Sequence, residues 1–138
     1  MLRVGMIGCG GMGRDHIKRL TGKIQGAEVV AVTDVSEENA KAAAALCGAK
    51  IYRDGYDLIH APEVDAVFIV SPGFAHKEHL LQAIDAGKRV FCEKPLCTTA
   101  EDCLEVVKAE EASGKHLIQL GFMRRYDRGY RQVKAAIQ

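Results

Sequence analysis

The chain has 138 residues, 48% apolar and 27% charged, the mixture of one globular domain and not of a disordered tail. Nineteen Lys and Arg against eighteen Asp and Glu leave a formal charge of +1, so no global field draws the chain to nucleic acid or to an anionic membrane. The longest uncharged apolar runs are strand-sized, far below the roughly 20 residues of a membrane span, and the N-terminus lacks signal-peptide order. Five cysteines, an odd number with no Cys-x-x-Cys pair, read as reduced packing residues of a cytoplasmic, enzyme-like domain.

Short apolar runs alternate with longer amphipathic ones along the chain. Leu2 to Ile7, Glu28 to Thr33, Ala66 to Val70, Arg89 to Cys92 and His116 to Phe122 are rich in Val, Ile and Phe without clean alternation. Strands covered on both faces read this way. Lys50-Ile51-Tyr52 adds a weak edge strand. Between them, the first helix turns Ile17 and Leu20 inward and Arg14 and Lys18 outward. Ser36 caps a second helix over Glu37 to Leu46, whose inner face is Ala40, Ala43, Ala44 and Cys47, with Gly48 as its stop. A third runs from about Ala75 to Ala86 and stops at Gly87. Thr98 and Glu101 have capping-box spacing for a fourth, which faces Leu104 and Val107 inward and ends at Gly114. Strand–helix–strand repetition of this kind predicts an α/β fold, a doubly wound parallel sheet with helices on both faces. The last stretch, Arg128 to Gln138, repeats Tyr130, Val133 and Ile137 on one helical face. Either this helix folds back on the sheet, or it opens a further domain; the second reading suits the pattern better.

Directly after the first strand stands Gly8-Cys9-Gly10-Gly11-Met12-Gly13, a G-x-G-x-x-G match that also opens a helix. In a Rossmann-type domain Gly8 makes the tight turn, Gly10 lets the backbone approach a pyrophosphate, and Gly13 lets helix and strand pack closely. The helix N-terminus, with Gly11 and Met12 at its start, offers free N–H groups to the phosphates. Asp34 ends the second strand where an acidic residue accepts hydrogen bonds from a ribose, and it can also cap the helix that follows. A carboxylate there repels a 2′-phosphate, and Val35-Ser36-Glu37 supply no Arg to hold one. NAD is therefore favoured over NADP.

Ligands of an open parallel sheet bind outside the carboxyl ends of its strands. That edge collects Ser71-Pro72-Gly73-Phe74-Ala75-His76, then Glu93-Lys94-Pro95, then Met123-Arg124-Arg125-Tyr126. His16, His60 and His116 are set aside as helical or opposite-edge residues. His76 and His79 have no evident third ligand, so no metal is expected, and His79 reads as a solvated neighbour. Lys94 is the candidate for chemistry: an ammonium beside a bound alcohol stabilises developing alkoxide, and Glu93 can fix its position.

These residues, above all Glu93-Lys94-Pro95, resemble the glucose–fructose oxidoreductase/inositol dehydrogenase/rhizopine-catabolism (Gfo/Idh/MocA) family over essentially the whole chain. Gly121 to Asp127 with Gly129-Tyr130 resembles its bacterial inositol 2-dehydrogenase branch. The resemblance implies an NAD-dependent oxidation of a cyclic polyol, myo-inositol-like, to a ketone, with Lys94 at the reacting hydroxyl and the Lys94–Pro95 bond cis. It places Met123 and Arg124 at the substrate, and Pro72 and His76 in the loop that lines the cofactor beside Ser71, Glu93 and Lys94. It also implies that residues 1–122 are the NAD-binding domain and 123–138 the start of a larger domain that holds the polyol, takes the proton and forms the oligomer. A chain without that domain is expected to bind NAD with little or no turnover, and a homo-oligomer is weakened. Two other readings stay open: a standalone nucleotide-binding module, supported if Tyr130, Val133 and Ile137 are buried against the same chain, and a family member acting on another sugar.

Overall fold

The computed structural model describes residues 1–138. Six strands, β1 (Leu2–Ile7), β2 (Ala27–Thr33), β3 (Lys50–Ile51), β4 (Ala66–Ile69), β5 (Arg89–Glu93) and β6 (Ile118–Gly121), form one sheet in the order β3-β2-β1-β4-β5-β6. Every pair is parallel, so all carboxyl ends share one edge. The order reverses between β1 and β4, which opens a crevice there.

The alternation along β1 divides the core. Val4 and Met6 pack with Ile17 and Leu20 on one face, whereas Ile7 joins Leu58, Ile59, Leu80 and Val106 on the other. Both faces are apolar, which is why this strand shows no polar alternation. A register shift between Val4 and Gly5 leaves Val30 without a partner on β1 and returns Val29 and Val32 to the same face.

The helices are α1 (Gly11–Gly22), α2 (Glu37–Cys47), α3 (Gly55–His60), α4 (His76–Asp85), α5 (Ala100–Ser113) and α6 (Arg128–Ile137). Ser36 caps α2 through the Asn39 N–H, and Gly48 ends it at φ 70°. The alanine face is buried at Ala40 and Ala43, and half-buried at Ala44 and Cys47. Two expectations are corrected. α5 is capped by Thr99, whose Oγ1 accepts from Asp102 N at 3.2 Å, one residue later than Thr98. Its buried residue is Val106, with Cys103 and Ala109 packed on the core, while Leu104 and Val107 are 52% and 41% exposed. In this phase Lys77 of α4 pairs with Asp102 at 2.8 Å and Glu105 at 2.6 Å. The short α3 is an addition: Asp54 caps it, accepting from Asp57 N.

α6 buries no residue. Tyr130, Val133 and Ile137 are 57%, 62% and 79% exposed, so the helix does not fold back on the sheet. No helix is long and apolar enough to cross a membrane.

Candidate functional site

A cleft of about 750 Å³ lies at the carboxyl edge between β1, β2 and β4. Its walls include the glycine loop from Gly8 to Gly13 without Cys9, then Asp34, Ser71 and Pro72. The glycines differ sharply in their surroundings. Gly8 has φ +94°, and a Cβ there would sit 2.5 Å from Ser71 N, whereas one at Gly13 would sit 2.0 Å from Gly8 O. At Gly10 and Gly11 a Cβ would meet nothing within 4 Å, so the backbone there borders open space. α1 starts with no side-chain cap and no acidic residue in its first turn, while α2 starts with Glu37 and Glu38 and α5 with Glu101 and Asp102. Its first N–H groups are thus left for an acceptor from outside the helix. Met12, on that first turn, is half-exposed at 53%.

Asp34 uses both carboxylate oxygens locally. Oδ2 accepts from Cys9 N at 2.7 Å and Oδ1 from Ser36 N at 2.8 Å. Each oxygen keeps a lone pair for a further donor, so loop support and ligand contact are compatible. Cys9 itself is buried, and burial with the neighbouring Asp34 charge pushes its thiol up to about 12; it is a packing residue.

The cleft also contains Asn39, Arg53 and Glu78, which reading the sequence did not single out, and His79. Arg53 enters from the turn before α3, engaged by Asp54 at 3.0 Å and Asp57 at 3.1 Å. His79 is half-buried, a correction to its expected solvation; burial pushes its pKa down, and Gly55 allows its ring to pack, since a Cβ there would lie 2.5 Å from it. Two buried polar atoms among the cleft residues, Ser71 Oγ and His79 Nδ1, have no hydrogen-bond partner. Together with the bare backbone at Gly10 and Gly11 and the uncapped start of α1, they fit a polar, anionic ligand.

His76 is placed differently from expectation. It is 1% exposed and does not line the cleft. Its Nε2 lies 2.7 Å from Ser71 O and its Nδ1 2.7 Å from Pro95 O. It therefore braces the Ser71 loop and the Pro95 loop from below.

Glu93, Lys94, Met123 and Arg124 lie outside the cleft walls, at the ends of β5 and β6 along the same edge. Lys94 is exposed and its bond to Pro95 is cis. Glu93 Oε2 accepts from Lys94 N at 3.2 Å. Met123 is 57% exposed, and Arg124 pairs with Asp127 at 3.0 Å over the Tyr130 ring. His16, set aside on sequence grounds, is in fact part of this edge: its Nε2 lies 2.9 Å from Glu93 Oε1. Its position one turn into α1 points it toward β4 and β5, a relation that helical position alone does not reveal. His60 and His116 are exposed.

Residues 2–122 match the model of an oxidoreductase family with an NAD-binding Rossmann fold. Inositol 2-dehydrogenase 3 of Saccharopolyspora erythraea is 54% identical over 99% of this chain and 40% of its own length. The inositol 2-dehydrogenase of Ralstonia nicotianae is likewise 54% identical, over 99% of this chain and 41% of its own. The chain thus spans about 40% of the length of the curated relatives it matches. Among solved structures, myo-inositol dehydrogenase from Lactobacillus casei in complex with NAD(H) and myo-inositol superposes with TM-score 0.95 at 49% identity, covering 99% of this chain and 41% of that one. The scyllo-inositol dehydrogenase of the same organism, with NAD(H) and scyllo-inositol, gives 0.92 at 33% identity, again over 99% and 41%.

Proposed function

The chain belongs to the Gfo/Idh/MocA oxidoreductase family, and from that premise we propose that it is the NAD-binding part of a dehydrogenase that oxidises a cyclic, inositol-like polyol to the ketone. In this reading residues 1–122 form the cofactor domain and 123–138 begin a further domain, which accords with the exposed apolar face of α6. The protein acts in the cytoplasm on a small-molecule polyol or sugar, and the assembled enzyme is a homo-oligomer.

The observation that carries the reading is the cleft itself: bare backbone at Gly10 and Gly11, an uncapped α1 N-terminus, and Asp34 on the adjoining strand. NAD, when bound, supplies the two-electron acceptor for the carbon being oxidised. The first N–H groups of α1 hold its pyrophosphate, and the free lone pairs of Asp34 accept from the adenosine ribose hydroxyls. Asp34 repels a 2′-phosphate at the same place. The one cation nearby in the cleft, Arg53, is already engaged by two carboxylates, which favours NAD over NADP. At the other end Lys94 donates to the reacting hydroxyl and stabilises negative charge as it develops on that oxygen, with Met123 and Arg124 beside the polyol. Ser71 and Pro72 border the cofactor and Glu93 orients Lys94.

Calorimetric titration with NAD and NADP tests the proposal. Saturable binding that prefers NAD is expected. Asp34→Ala removes ribose contacts and loop support together, so both affinities fall, and the diagnostic is the ratio, which narrows. An unchanged ratio refutes the role of Asp34, and a folded chain that binds neither nucleotide refutes the cofactor reading.

A further inference from the structure

His16 leaves α1 one turn after the glycine loop. Its ring stands edge-on to Phe68 of β4 at 5.8 Å and to Phe91 of β5 at 5.4 Å, and those two rings stack on each other at 4.8 Å. The aromatic walls hold the imidazole so that Nε2 meets Glu93 Oε1 at 2.9 Å, with each side chain only 17% exposed. The second oxygen of the same carboxylate accepts the Lys94 N–H. A glutamate at a strand end is otherwise free to rotate about its side-chain bonds. Engaged at Oε1 by a histidine that two aromatic rings hold in place, it presents Oε2 to the backbone in one orientation. On the far side, the Pro95 carbonyl lies 2.7 Å from the buried His76 ring. The outer members of Glu93-Lys94-Pro95 are thus each held by an imidazole, one from α1 and one from α4, and the exposed Lys94 is the member left free to meet a ligand.

We infer that His16 is a positioning residue for Lys94: acting through the Glu93 carboxylate, it ties the helix that opens on the cofactor cleft to the residue that meets the substrate. The inference rests on the dehydrogenase reading for the role of Lys94. The contact chain His16–Glu93–Lys94 stands on geometry alone.

Amide hydrogen exchange of this chain, followed by ¹H–¹⁵N NMR, tests it. In His16→Leu the carboxylate loses its charge-assisted partner, and the Lys94 amide exchanges about tenfold faster. The amides of Ile17 and Cys92, on the same helix and strand, keep their rates. His16→Gln, whose side-chain N–H reaches the place of Nε2, restores Lys94 to within about twofold of the wild-type rate. If His16→Leu fails to fold, His16→Asn, one methylene too short to reach, replaces it and gives the same acceleration. An unchanged Lys94 rate in the folded variant overturns the inference, as does an equal rise at Ile17 and Cys92, which marks general loosening. NAD added to the same wild-type samples reports separately at the Gly10 and Asp34 amides. No response there sinks the cofactor reading and leaves the exchange result to decide the contact chain.

Discussion

The glycine loop makes a prediction in which two neighbouring Gly→Ala substitutions have opposite consequences. At Gly13 the added Cβ would lie 2.0 Å from Gly8 O and 2.9 Å from Gly8 C, where ordinary contact starts at 3.4 Å. Both obstacles are backbone, so no rotamer change relieves them and α1 must move away from β1 by more than an ångström. That displacement loosens Ile17 and Leu20, which are 0% and 5% exposed. With both obstacles in the backbone the overpacking cost lies at the upper end of its usual range, about 3 kcal/mol, and the better helix propensity of Ala returns about 1 kcal/mol. A net loss of about 2 kcal/mol, at roughly 3–5 °C per kcal/mol for a domain of this size, lowers Tm by about 6–10 °C. At Gly10 the Cβ meets nothing and φ is −69°, a value open to alanine. The exchange of an N-cap glycine for alanine costs under about 1 kcal/mol, so Tm stays within about 5 °C. The methyl group instead occupies the approach to the loop, and NAD affinity falls at least about tenfold, or ~1.4 kcal/mol. Thermal melting by circular dichroism and calorimetry with NAD measure the two effects. Equal melting of both variants refutes the packing argument, and wild-type NAD affinity in Gly10→Ala refutes the placement of the pyrophosphate.

Three further outcomes are expected. Arg3, through its side-chain and backbone hydrogen bonds, holds the Asp65 carboxylate down at about 2. Because the folded value lies below the ordinary carboxylate range, the stability this pair adds is present above about pH 4. It is lost as pH falls through about 2, and Asp65→Asn flattens that part of the acid limb in urea titrations, by a small amount because the pair is exposed. Cys9 and Cys92, pushed up to about 12 by burial, and Cys97, pushed up to about 11, resist thiol reagents at pH 8 in the folded chain. The half-buried Cys47 and Cys103 react first, and mass spectrometry of the labelled chain reads the order. Finally, Val106→Ala costs about 1–3 kcal/mol in denaturant unfolding, whereas Leu104→Ala stays within about 0.5 kcal/mol; the reverse order would restore the phase expected from sequence.

The inner strands were legible because they are largely apolar on both faces, and the glycine loop and Asp34 because their spacing is tied to a strand end on either side. α5 was misread by one residue, since Thr98 and Thr99 can both cap and Leu104, Val106 and Val107 offer two apolar phases. The phase is visible only in the folded chain, where Val106, Cys103 and Ala109 pack on the core and Lys77 of the neighbouring helix pairs with Asp102 and Glu105. α3, six residues long, is too short for helical periodicity to show. His16 and His76 were missed or misplaced for a shared reason: each is held at the edge by a partner from another element, Glu93 for His16 and Pro95 for His76. The histidine signals exist only after folding, in the stacked Phe68 and Phe91 and in the carbonyls of Ser71 and Pro95.

The two ends of the edge are prepared to different degrees, and this bears on turnover. The cofactor end is a preformed cleft, with free N–H groups at the start of α1 and a carboxylate already oriented by two N–H groups. The end proposed for the substrate is open: Lys94, Met123 and Arg124 all face water. A unit charge 4 Å from another is worth about 1 kcal/mol in water but about 4 kcal/mol at an effective dielectric of 20. An ammonium in solvent therefore gives a developing alkoxide little of the stabilisation that catalysis draws from a water-excluded site, and a polyol held by exposed side chains lacks the near-attack placement that speeds the step. The 138-residue chain mixed with NAD and myo-inositol should accordingly bind nucleotide while forming NADH at a rate near the blank, followed by its fluorescence. Sustained turnover abolished by Lys94→Ala would show that this lysine works while exposed, and would overturn the link drawn here between enclosure and catalysis.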